Sequence, residues 1–377
     1  MEKYLHTVKK VLKEGRHYPD RTGKGRVRTF GGFETYDLSK GFPAVTTRYL
    51  FLKTLVKEVM GFIHGSNKVT DLGEGFWSKW SPNEDDITAE IERVKKDAEA
   101  SGDEHMQKMI NDPKQIEILK NYLRSKVGTI GPMYGVMWRK FPRVNGNIPD
   151  WFKGFEDFPS DLKEEYQENF MKRVMLSQGK LENTKENWEA FALQEYFKTY
   201  DQLNMVYLGL KRNPFSSRHR VTAFHPDTVG PESLSPKQNV LAGYASLAPC
   251  HTFYQFMVTE KMVDGEEKKV LNCMFYMSSS DVMVGRPYNI AQYALLTMIM
   301  AHCLGYIPGE LTIVSCDTHI YSNHVDQVEE EHFKREPLPL CKLVLNPEKK
   351  DFFAFTADDI SFEGYQHQGR IDYEVAV

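Results

Sequence analysis

Residues 248–258 read APCHTFYQFMV, and this stretch decides the fold of the 377-residue chain. A cysteine directly before a run of aromatic and β-branched residues predicts a β-strand that begins beside a thiol. Cys250 alone has a plain interpretation, because free cysteine usually packs as a small, buried apolar residue. Polar segments further along the chain, at 279–289 and 316–324, favour a nucleophilic thiolate that acts on a polar, ring-shaped substrate.

Further strands are predicted on both sides of this one. Aromatic and β-branched runs predict strands at 26–38, 221–224, 269–276 and 310–316. Between them, Ile290–Cys303 (IAQYALLTMIMAHC) is apolar nearly all round, which predicts a helix buried at the centre of the molecule. Amphipathic helices are predicted at 2–14 and 50–64. We therefore predict an α+β fold in which a mixed β-sheet packs on a central buried helix.

Two segments differ from the rest of the chain and are predicted to be mostly helical insertions in surface loops. The first covers about residues 85–127, is rich in charge, and has breaks near Ser101-Gly102 and Asp112-Pro113. The second covers about residues 144–212 and is predicted to be helical from Glu186 to Leu210. With these insertions, residues 1–377 are expected to form one catalytic domain.

Composition limits the function classes. The net charge of −4 gives no reason to expect non-specific binding to nucleic acid. The five cysteines are an odd set without metal-ligand spacing, so we expect a reducing interior and no metal. The first fifteen residues lack the apolar core of a signal peptide, and no apolar run reaches membrane-spanning length. A cytoplasmic protein without a membrane partner is expected.

The order of the polar motifs resembles thymidylate synthase and the related pyrimidine nucleotide hydroxymethylases. Apart from the Cys250 segment, the resemblance is carried by Asp20-Arg21-Thr22-Gly23, Gly41–Thr47, Glu58, Trp77-x-x-Trp80, Gly131-Pro132-x-Tyr134-Gly135, Trp138-Arg139, Asp281-x-x-x-Gly285 with Asn289, Asp317–His324 and Glu374–Val377. Each motif alone is weak, and their common order is a strong indication. The resemblance implies a thymidylate synthase-like fold, a homodimer, dUMP as substrate and 5,10-methylenetetrahydrofolate as co-substrate.

The resemblance also implies site residues. The Cys250 thiolate would attack carbon 6 of uracil, with its pKa lowered by cations such as Arg218 and Arg21. Asn289 would read O4 and N3–H of uracil, and Glu58 would move protons through ordered water. The implied catalytic set is Cys250, Glu58, Tyr134, His251, Asp281 and Asn289.

Two binding sets follow from the same resemblance. His319 and Tyr321 would bind the sugar 3′-hydroxyl, and Asp281 would contact the pterin ring. The nucleotide set is Arg21, Ser217, Arg218, Ser278, Ser279, Ser280, Asp281, Asn289, His319 and Tyr321. The folate set is Phe51, Trp77, Trp80, Asp281, Val284, Gly285, Tyr288 and Ala376.

Plainer interpretations stand beside these. An asparagine before a helix is often an N-cap, and a glutamate between apolar residues is usually solvated or paired. A His-x-Tyr pair often packs in a strand, and two tryptophans at this spacing are often core residues. At the level of the protein, the alternatives are an inactive nucleotide-binding regulator and a thiol hydrolase. The joint presence of Cys250, Glu58, Asp281 and Asn289 argues against the first. Adjacency of Cys250 and His251 in sequence argues against the second.

The chain departs from the family where phosphate and folate bind. Ser217 and Ser278 stand where arginines that hold phosphate are usual. Either Arg220 and Arg286 restore the lost positive charge, or phosphate is held more weakly. The expected product is 5-hydroxymethyl-dUMP, formed from dUMP, water and 5,10-methylenetetrahydrofolate as in viral relatives, with thymidylate the alternative. The other departures that favour this product are the two insertions, Tyr49 and Phe51 in place of arginine and histidine, and Met277 in place of glutamine.

Overall fold

The computed structural model describes residues 1–144, 148 and 152–376. Val377, the last residue of the C-terminal motif, and part of the second insertion lie outside this range. The strands are β1 Arg16–Tyr18, β2 Arg26–Asp37, β3 Arg220–Thr222, β4 His251–Val263, β5 Glu266–Asp281, β6 Ile307–Tyr321, β7 Lys342–Leu345 and β8 Ile360–Glu363. The helices are α1 Glu2–Glu14, α2 Leu52–Ile63, α3 Val69–Leu72, α4 Glu74–Trp77, α5 Glu84–Ser101, α6 Glu104–Asn111, α7 Pro113–Arg124, α8 Gly135–Arg139, α9 Lys163–Leu176, α10 Lys185–Tyr196, α11 Gln202–Arg212, α12 Pro236–Leu241, α13 Gly285–Leu304 and α14 Val325–Glu330.

The main sheet is mixed, as predicted, with strand order β1-β2-β6-β5-β4-β3. Strands β5 and β6 are parallel, and the other neighbours are antiparallel. Parallel neighbours need a long crossover, and α13 supplies it. The carboxyl ends of β5 and β6 therefore meet at one edge of the sheet, which is where the sequence places its polar motifs.

Helix α13 is the buried centre of the molecule, which confirms the α+β prediction. It begins at Gly285 rather than at Ile290, because proline is tolerated in the first turn of a helix, where its missing N–H has no helical partner. Its apolar residues pack between the main sheet and α2. Four buried polar side chains interrupt this surface: Arg286, Asn289, Gln292 and Thr297.

The opposite face of the sheet exposes large apolar side chains. Strand pairing aligns Phe33, Val314, Tyr276 and Phe253 in one row across β2, β6, β5 and β4. Phe33 is 70% exposed in the single chain. Further exposed members of this outer face are Met257 and Met274. A contiguous apolar face of this kind indicates a protein–protein contact.

The two predicted insertions pack in small clusters of their own. In the first, α5 ends at Gly102, whose φ is 68°, and Asp112 caps α7 at Pro113, so both predicted breaks are correct. Ile87, Ile91 and Leu123 form its cluster with Leu241. The second insertion has a cluster of Phe152, Phe158, Leu162, Ala192, Tyr196, Met205 and Leu208.

The helix predicted over 186–210 is wrong in its continuity. Helix α10 ends at Tyr196, and α11 begins at Gln202. Tyr200 forms an isolated bridge with Phe141, and Asp201 caps α11 by accepting the Asn204 N–H at 2.9 Å. These local bonds compete with a continuous helix. Apolar residues of α11 lie both in the main core and in the cluster of the second insertion, so this helix joins the two.

Candidate active site

Parallel pairing of β5 with β6 assembles one side of the site. Ser279 lies beside Asp317, and Asp281 lies beside His319. Side chains of directly paired residues share a face, and alternate residues of a strand return to that face. Tyr321, two residues beyond His319, therefore continues the same polar surface. The pairing brings together four predicted site residues that are distant in sequence: Ser279, Asp281, His319 and Tyr321.

Cys250 lies at the neighbouring edge, directly before β4. Its backbone N–H donates to the Tyr134 hydroxyl at 3.0 Å, and its carbonyl accepts the Ser278 N–H at 2.8 Å. The Tyr134 ring stacks on His251 with centroids 3.9 Å apart and planes at 5°. His251 Nδ1 pairs with the Tyr293 hydroxyl at 2.9 Å. Tyr134 has a φ of 42°, which is uncommon for a residue other than glycine and is typical of functional sites.

The predicted lowering of the Cys250 pKa is wrong for the single chain. Burial raises the pKa of this thiol to about 11, and the nearby carboxylates Asp281 and Asp317 raise it further. His251 supplies no compensating cation, since burial lowers its pKa to about 3. The thiol is therefore protonated until the surrounding charge changes.

Glu58 lies on α2 in a buried chain of hydrogen bonds. Trp77 Nε1 donates to Glu58 Oε1 at 2.5 Å, and Gln292 Nε2 donates to Glu58 Oε2. Gln292 Oε1 in turn accepts from Asn289 Nδ2 at 3.1 Å. Burial raises the pKa of Glu58 to about 7, although the two donors oppose the rise. A carboxyl that titrates near neutral pH suits proton transfer.

The residues predicted to bind folate lie around these hydrogen bonds. Trp77 and Trp80 are buried with ring centroids 5.7 Å apart, and Trp80 Nε1 is buried without a partner among the described residues. Asp281 Oδ1 accepts the Met283 and Val284 N–H groups, which holds the turn that leads into Gly285. Aromatic walls beside a carboxylate and an unsatisfied donor fit a flat heteroaromatic ring with polar edges, as in folate.

The outer part of this region joins Phe51 to the C-terminal tail. The Phe51 N–H donates to the Tyr288 hydroxyl at 3.4 Å, and the Phe51 ring packs edge-on against Tyr49. Arg48 Nη2 donates to the Met283 carbonyl at 2.7 Å, and its guanidinium lies over the Tyr373 ring. These contacts bring the tail that carries Ala376 to the turn held by Asp281.

Arg286 does not face a ligand, so its predicted role in restoring phosphate charge is wrong. It is fully buried, and its Nε and Nη2 donate to Glu34 Oε1 at 3.0 and 2.7 Å. Its Nη1 donates to Ser280 Oγ and Ser315 Oγ at 2.8 and 3.2 Å. Ser280, predicted to bind nucleotide, is thereby turned into the core. Ser278 Oγ donates to the Pro249 or Cys250 carbonyl at 3.2 Å.

Strand β2 supplies two other arginines to the polar face. Arg28 lies beside His319 and Arg26 beside Tyr321. Arg26 Nη1 lies 3.2 Å from Asp317 Oδ2, and Arg28 Nε lies 3.1 Å from Asp317 Oδ1. Arg26 Nε is buried and lacks a partner within the described part of the chain. Two guanidinium groups on one carboxylate leave a net positive charge next to Ser279.

Ser217 and Arg218 are not brought to this site within one chain. The Ser217 carbonyl accepts from Gln255 Nε2 at 2.9 Å, and Gln255 is five residues, roughly 17 Å, along the strand from Cys250. Arg220 Nε donates to the same carbonyl at 3.1 Å, which holds it beside Ser217. Arg218 is exposed and directly follows Ser217, whose carbonyl contacts the Gln255 side chain. Arg21 is exposed in the turn before β2.

Comparison with known proteins agrees with this arrangement. A sequence profile described as thymidylate synthase matches residues 2–377. A thymidylate synthase from Mesoplasma florum is 31% identical over 383 aligned positions that cover 100% of both chains. The chain belongs to the thymidylate synthase family. Its general chemistry is folate-dependent one-carbon transfer to carbon 5 of dUMP, and the family is typically dimeric.

Sequence reasoning missed several members of this thymidylate synthase-family site. Gln292 was hidden in an apolar helix, although a polar residue three positions after Asn289 is a usable signal. Arg26 and Arg28 lie in a run that by itself predicts only a strand, and their alternation along it is the signal that places both on one face. Among the described residues, no helix is long and apolar enough to cross a membrane, and no cluster of His, Cys, Asp or Glu could hold a metal.

Proposed function

We propose that this protein transfers the one-carbon unit of 5,10-methylenetetrahydrofolate to carbon 5 of dUMP, with Cys250 as nucleophile. The observation that carries this proposal is the convergence of Cys250, Asp281 and the Glu58–Gln292–Asn289 chain around the carboxyl ends of β5 and β6. The folate supplies the carbon unit. The residues of the chain bind the nucleotide, add to it and move protons.

Addition of the Cys250 sulfur to carbon 6 makes carbon 5 nucleophilic, because the ring electrons move toward O4. Asn289 is expected to meet O4 and N3–H through its amide. Glu58, with a pKa of about 7, is suited to exchange protons with the pyrimidine through water. The thiol must first lose its proton, and Arg218 of a second subunit is the cation that we expect to favour this loss.

The phosphate is expected to bind at Arg26 and Arg28, with Arg21 from the adjacent turn. A phosphate monoester dianion placed next to Ser279 would meet the net positive charge that the two guanidinium groups leave beside Asp317. The unpartnered Arg26 Nε would gain an acceptor. This arrangement would replace the arginine whose position is occupied by Ser278.

We favour 5-hydroxymethyl-dUMP as the product. The support is the Tyr49–Phe51 pair, which offers folate apolar rings instead of charged hydrogen-bonding groups and would hold it less firmly, leaving room for water. Met277 and Arg286 do not contribute to this argument, since both are buried in the core. Thymidylate is the second candidate, favoured by the intact Trp77–Trp80 wall, which would keep water out.

One experiment separates these outcomes. The protein is incubated with methylenetetrahydrofolate and, separately, dUMP, dCMP, UMP and CMP, and products are identified by mass while dihydrofolate is followed by absorbance. We expect dUMP to give the hydroxymethyl product without dihydrofolate. Thymidylate with an equal amount of dihydrofolate would select the second candidate, and no reaction with any nucleotide would contradict the proposed function.

We also propose a homodimer through the outer face of the sheet. The exposed row that includes Phe33 and Tyr276 supports an isologous contact, in which the same surface of each subunit is buried. Arg218 stands on that side of the sheet, away from the Cys250 of its own chain. In a dimer it would serve the site of the partner.

A further inference from the structure

Gln292 connects the residue that reads the base to the residue that moves protons. It lies one helical turn after Asn289 on α13 and is 7% exposed. Its Oε1 accepts from Asn289 Nδ2 at 3.1 Å, and its Nε2 donates to Glu58 Oε2. Both polar ends of the carboxamide are therefore engaged in hydrogen bonds to protein side chains.

The direction of this chain of hydrogen bonds is set at one end. An ionised carboxylate only accepts hydrogen bonds, so the ionised form of Glu58 requires the NH₂ end of Gln292 to face it. The carbonyl end of Gln292 must then face Asn289, whose NH₂ group donates the hydrogen bond to it. The oxygen and nitrogen positions of both amides are therefore assigned from their hydrogen-bond partners, because the shape of an amide group is nearly symmetric.

The remaining end of Asn289 points away from Gln292. A Cβ added at Gly285 would lie 3.5 Å from Asn289 Oδ1, so this oxygen is directed toward the turn that Asp281 holds. Asn289 Oδ1 accepts no hydrogen bond from the residues that the structure describes. It is a fixed acceptor at the position where the pyrimidine is expected.

We propose that Gln292 is a positioning residue that sets base specificity, because it holds Asn289 with its oxygen toward the pyrimidine. This inference rests on the proposed function, since it assumes that Asn289 meets the base. Uracil carries a hydrogen on N3 and an acceptor at O4, which match Asn289 Oδ1 and the second hydrogen of Nδ2. Cytosine has an acceptor at N3 and an amino donor on carbon 4. Asn289 Oδ1 would then face an acceptor and Asn289 Nδ2 would face a donor, so both contacts are unfavourable.

Cytosine would fit only if the Asn289 amide turned over. That rotation would bring Asn289 Oδ1 against Gln292 Oε1, two acceptors without a hydrogen between them. While Glu58 is ionised, Gln292 cannot follow by turning, because its NH₂ group would then leave the carboxylate. The discrimination against cytosine is therefore expected to depend on Gln292, although Gln292 does not touch the base.

The test is Gln292→Met, which keeps the length of the side chain and removes both hydrogen bonds. The affinities for dUMP and dCMP are measured by calorimetry, together with kcat/KM for each. We expect the preference for dUMP over dCMP to fall about tenfold or more, the loss of one buried hydrogen-bond match. The matched control is Thr297→Val on the same helix, which removes a buried hydroxyl bonded to the Tyr293 carbonyl and should leave the preference unchanged.

A second variant guards against a general folding defect. Gln292→Glu keeps an acceptor facing Asn289 Nδ2, so it should retain the preference for dUMP even if its turnover is lower. Equal losses for both nucleotides in Gln292→Met, with the preference intact, would overturn the role of Gln292. A wild-type protein that binds neither nucleotide would instead contradict the proposed function, which keeps the two failures distinct.

Discussion

Two titratable side chains, the half-buried Cys250 and the buried Glu58, stand in the protonation states that a resting enzyme needs. Burial raises both pKa values, the thiol to about 11 and the carboxyl to about 7. At neutral pH the thiol is therefore unreactive, and Glu58 is balanced between its two forms. Nucleophilic attack therefore requires a cation beside the thiol, because a nearby positive charge favours the thiolate.

The first prediction concerns the cost of ionising Glu58. Its pKa in the folded chain lies above its ordinary value of 4.5, so the stability that it contributes is fully present below pH 4.5 and is lost as pH rises to about 7. Glu58→Gln removes this loss. The free energy of unfolding of the variant relative to wild type should rise by about 2–3 kcal/mol between pH 4.5 and pH 8. Urea unfolding at both pH values measures it, and a constant difference would contradict the raised pKa.

The second prediction concerns the nucleophile. Cys250→Ser should keep the fold and the affinity for dUMP, because the side chain changes by one atom. Turnover should fall by about 10³-fold or more, since an alcohol is a far weaker nucleophile at neutral pH. Wild type treated with 5-fluoro-dUMP and methylenetetrahydrofolate should form a covalent adduct that peptide mass mapping places on Cys250. An adduct on another cysteine would exclude the assignment.

The third prediction concerns the phosphate. Replacing Arg28 with leucine should raise KM for dUMP by about 10- to 100-fold, the value of a charged hydrogen bond, while KM for the folate stays unchanged. Lys261→Met, an exposed change far along β4, is the control. Slow turnover of deoxyuridine, which has no phosphate, should be equal in Arg28→Leu and wild type. If deoxyuridine suffers as much as dUMP, Arg28 does not bind the phosphate.

At the scale of elements, the sequence predicts what depends on local pattern. Helix α1 matches its predicted bounds, and the run at Cys250 is a strand because its residues alternate correctly. Side-chain direction at the end of a strand is a different matter. Ser280 and Arg286 belong to a motif that suggested ligand contact, yet both point into the core, because Glu34 on β2 offers a buried carboxylate that only the tertiary fold brings near.

The fourth prediction tests this buried network, which joins β2, β5, β6 and α13. Glu34 also accepts from Thr7 and Tyr36. Arg286→Leu would leave Glu34 as an unpaired buried charge and should lower the free energy of unfolding by about 3–5 kcal/mol. Adding Glu34→Gln to the same chain should recover most of the loss, since the amide is neutral: its oxygen can accept from one of the two hydroxyls while its NH₂ group donates to the other.

Urea unfolding of the single and double variants measures the recovery. The exposed pair Lys342–Glu363 supplies the control, because Lys342→Met should change stability by less than about 0.5 kcal/mol. If Glu34→Gln deepens the loss caused by Arg286→Leu, the charge of Glu34 is not what makes the single variant unstable.

At the scale of the whole molecule, the single chain leaves one apolar face of its main sheet exposed. The outer face of the sheet exposes Phe33, and Arg218 stands on that side without access to the Cys250 of its own subunit. Covering this face with a second copy would bury the apolar row and bring a cation to a site whose thiol has a raised pKa. Dimer formation and activation of the thiol are thereby expected to be one event.

The last prediction tests whether Cys250 of one subunit and Arg218 of the other form one active site. Arg218→Ala and Cys250→Ser should each be inactive as homodimers, the first through its phosphate and charge contacts and the second through its nucleophile. Mixed and allowed to exchange subunits, they should form hybrids in which one of the two sites has both an intact cysteine and an intact partner arginine. Statistical exchange at equal amounts makes half of the dimers hybrid, so about one quarter of wild-type activity should return. Native mass spectrometry verifies the exchange, and verified hybrids without activity would show that Arg218 serves its own subunit or none.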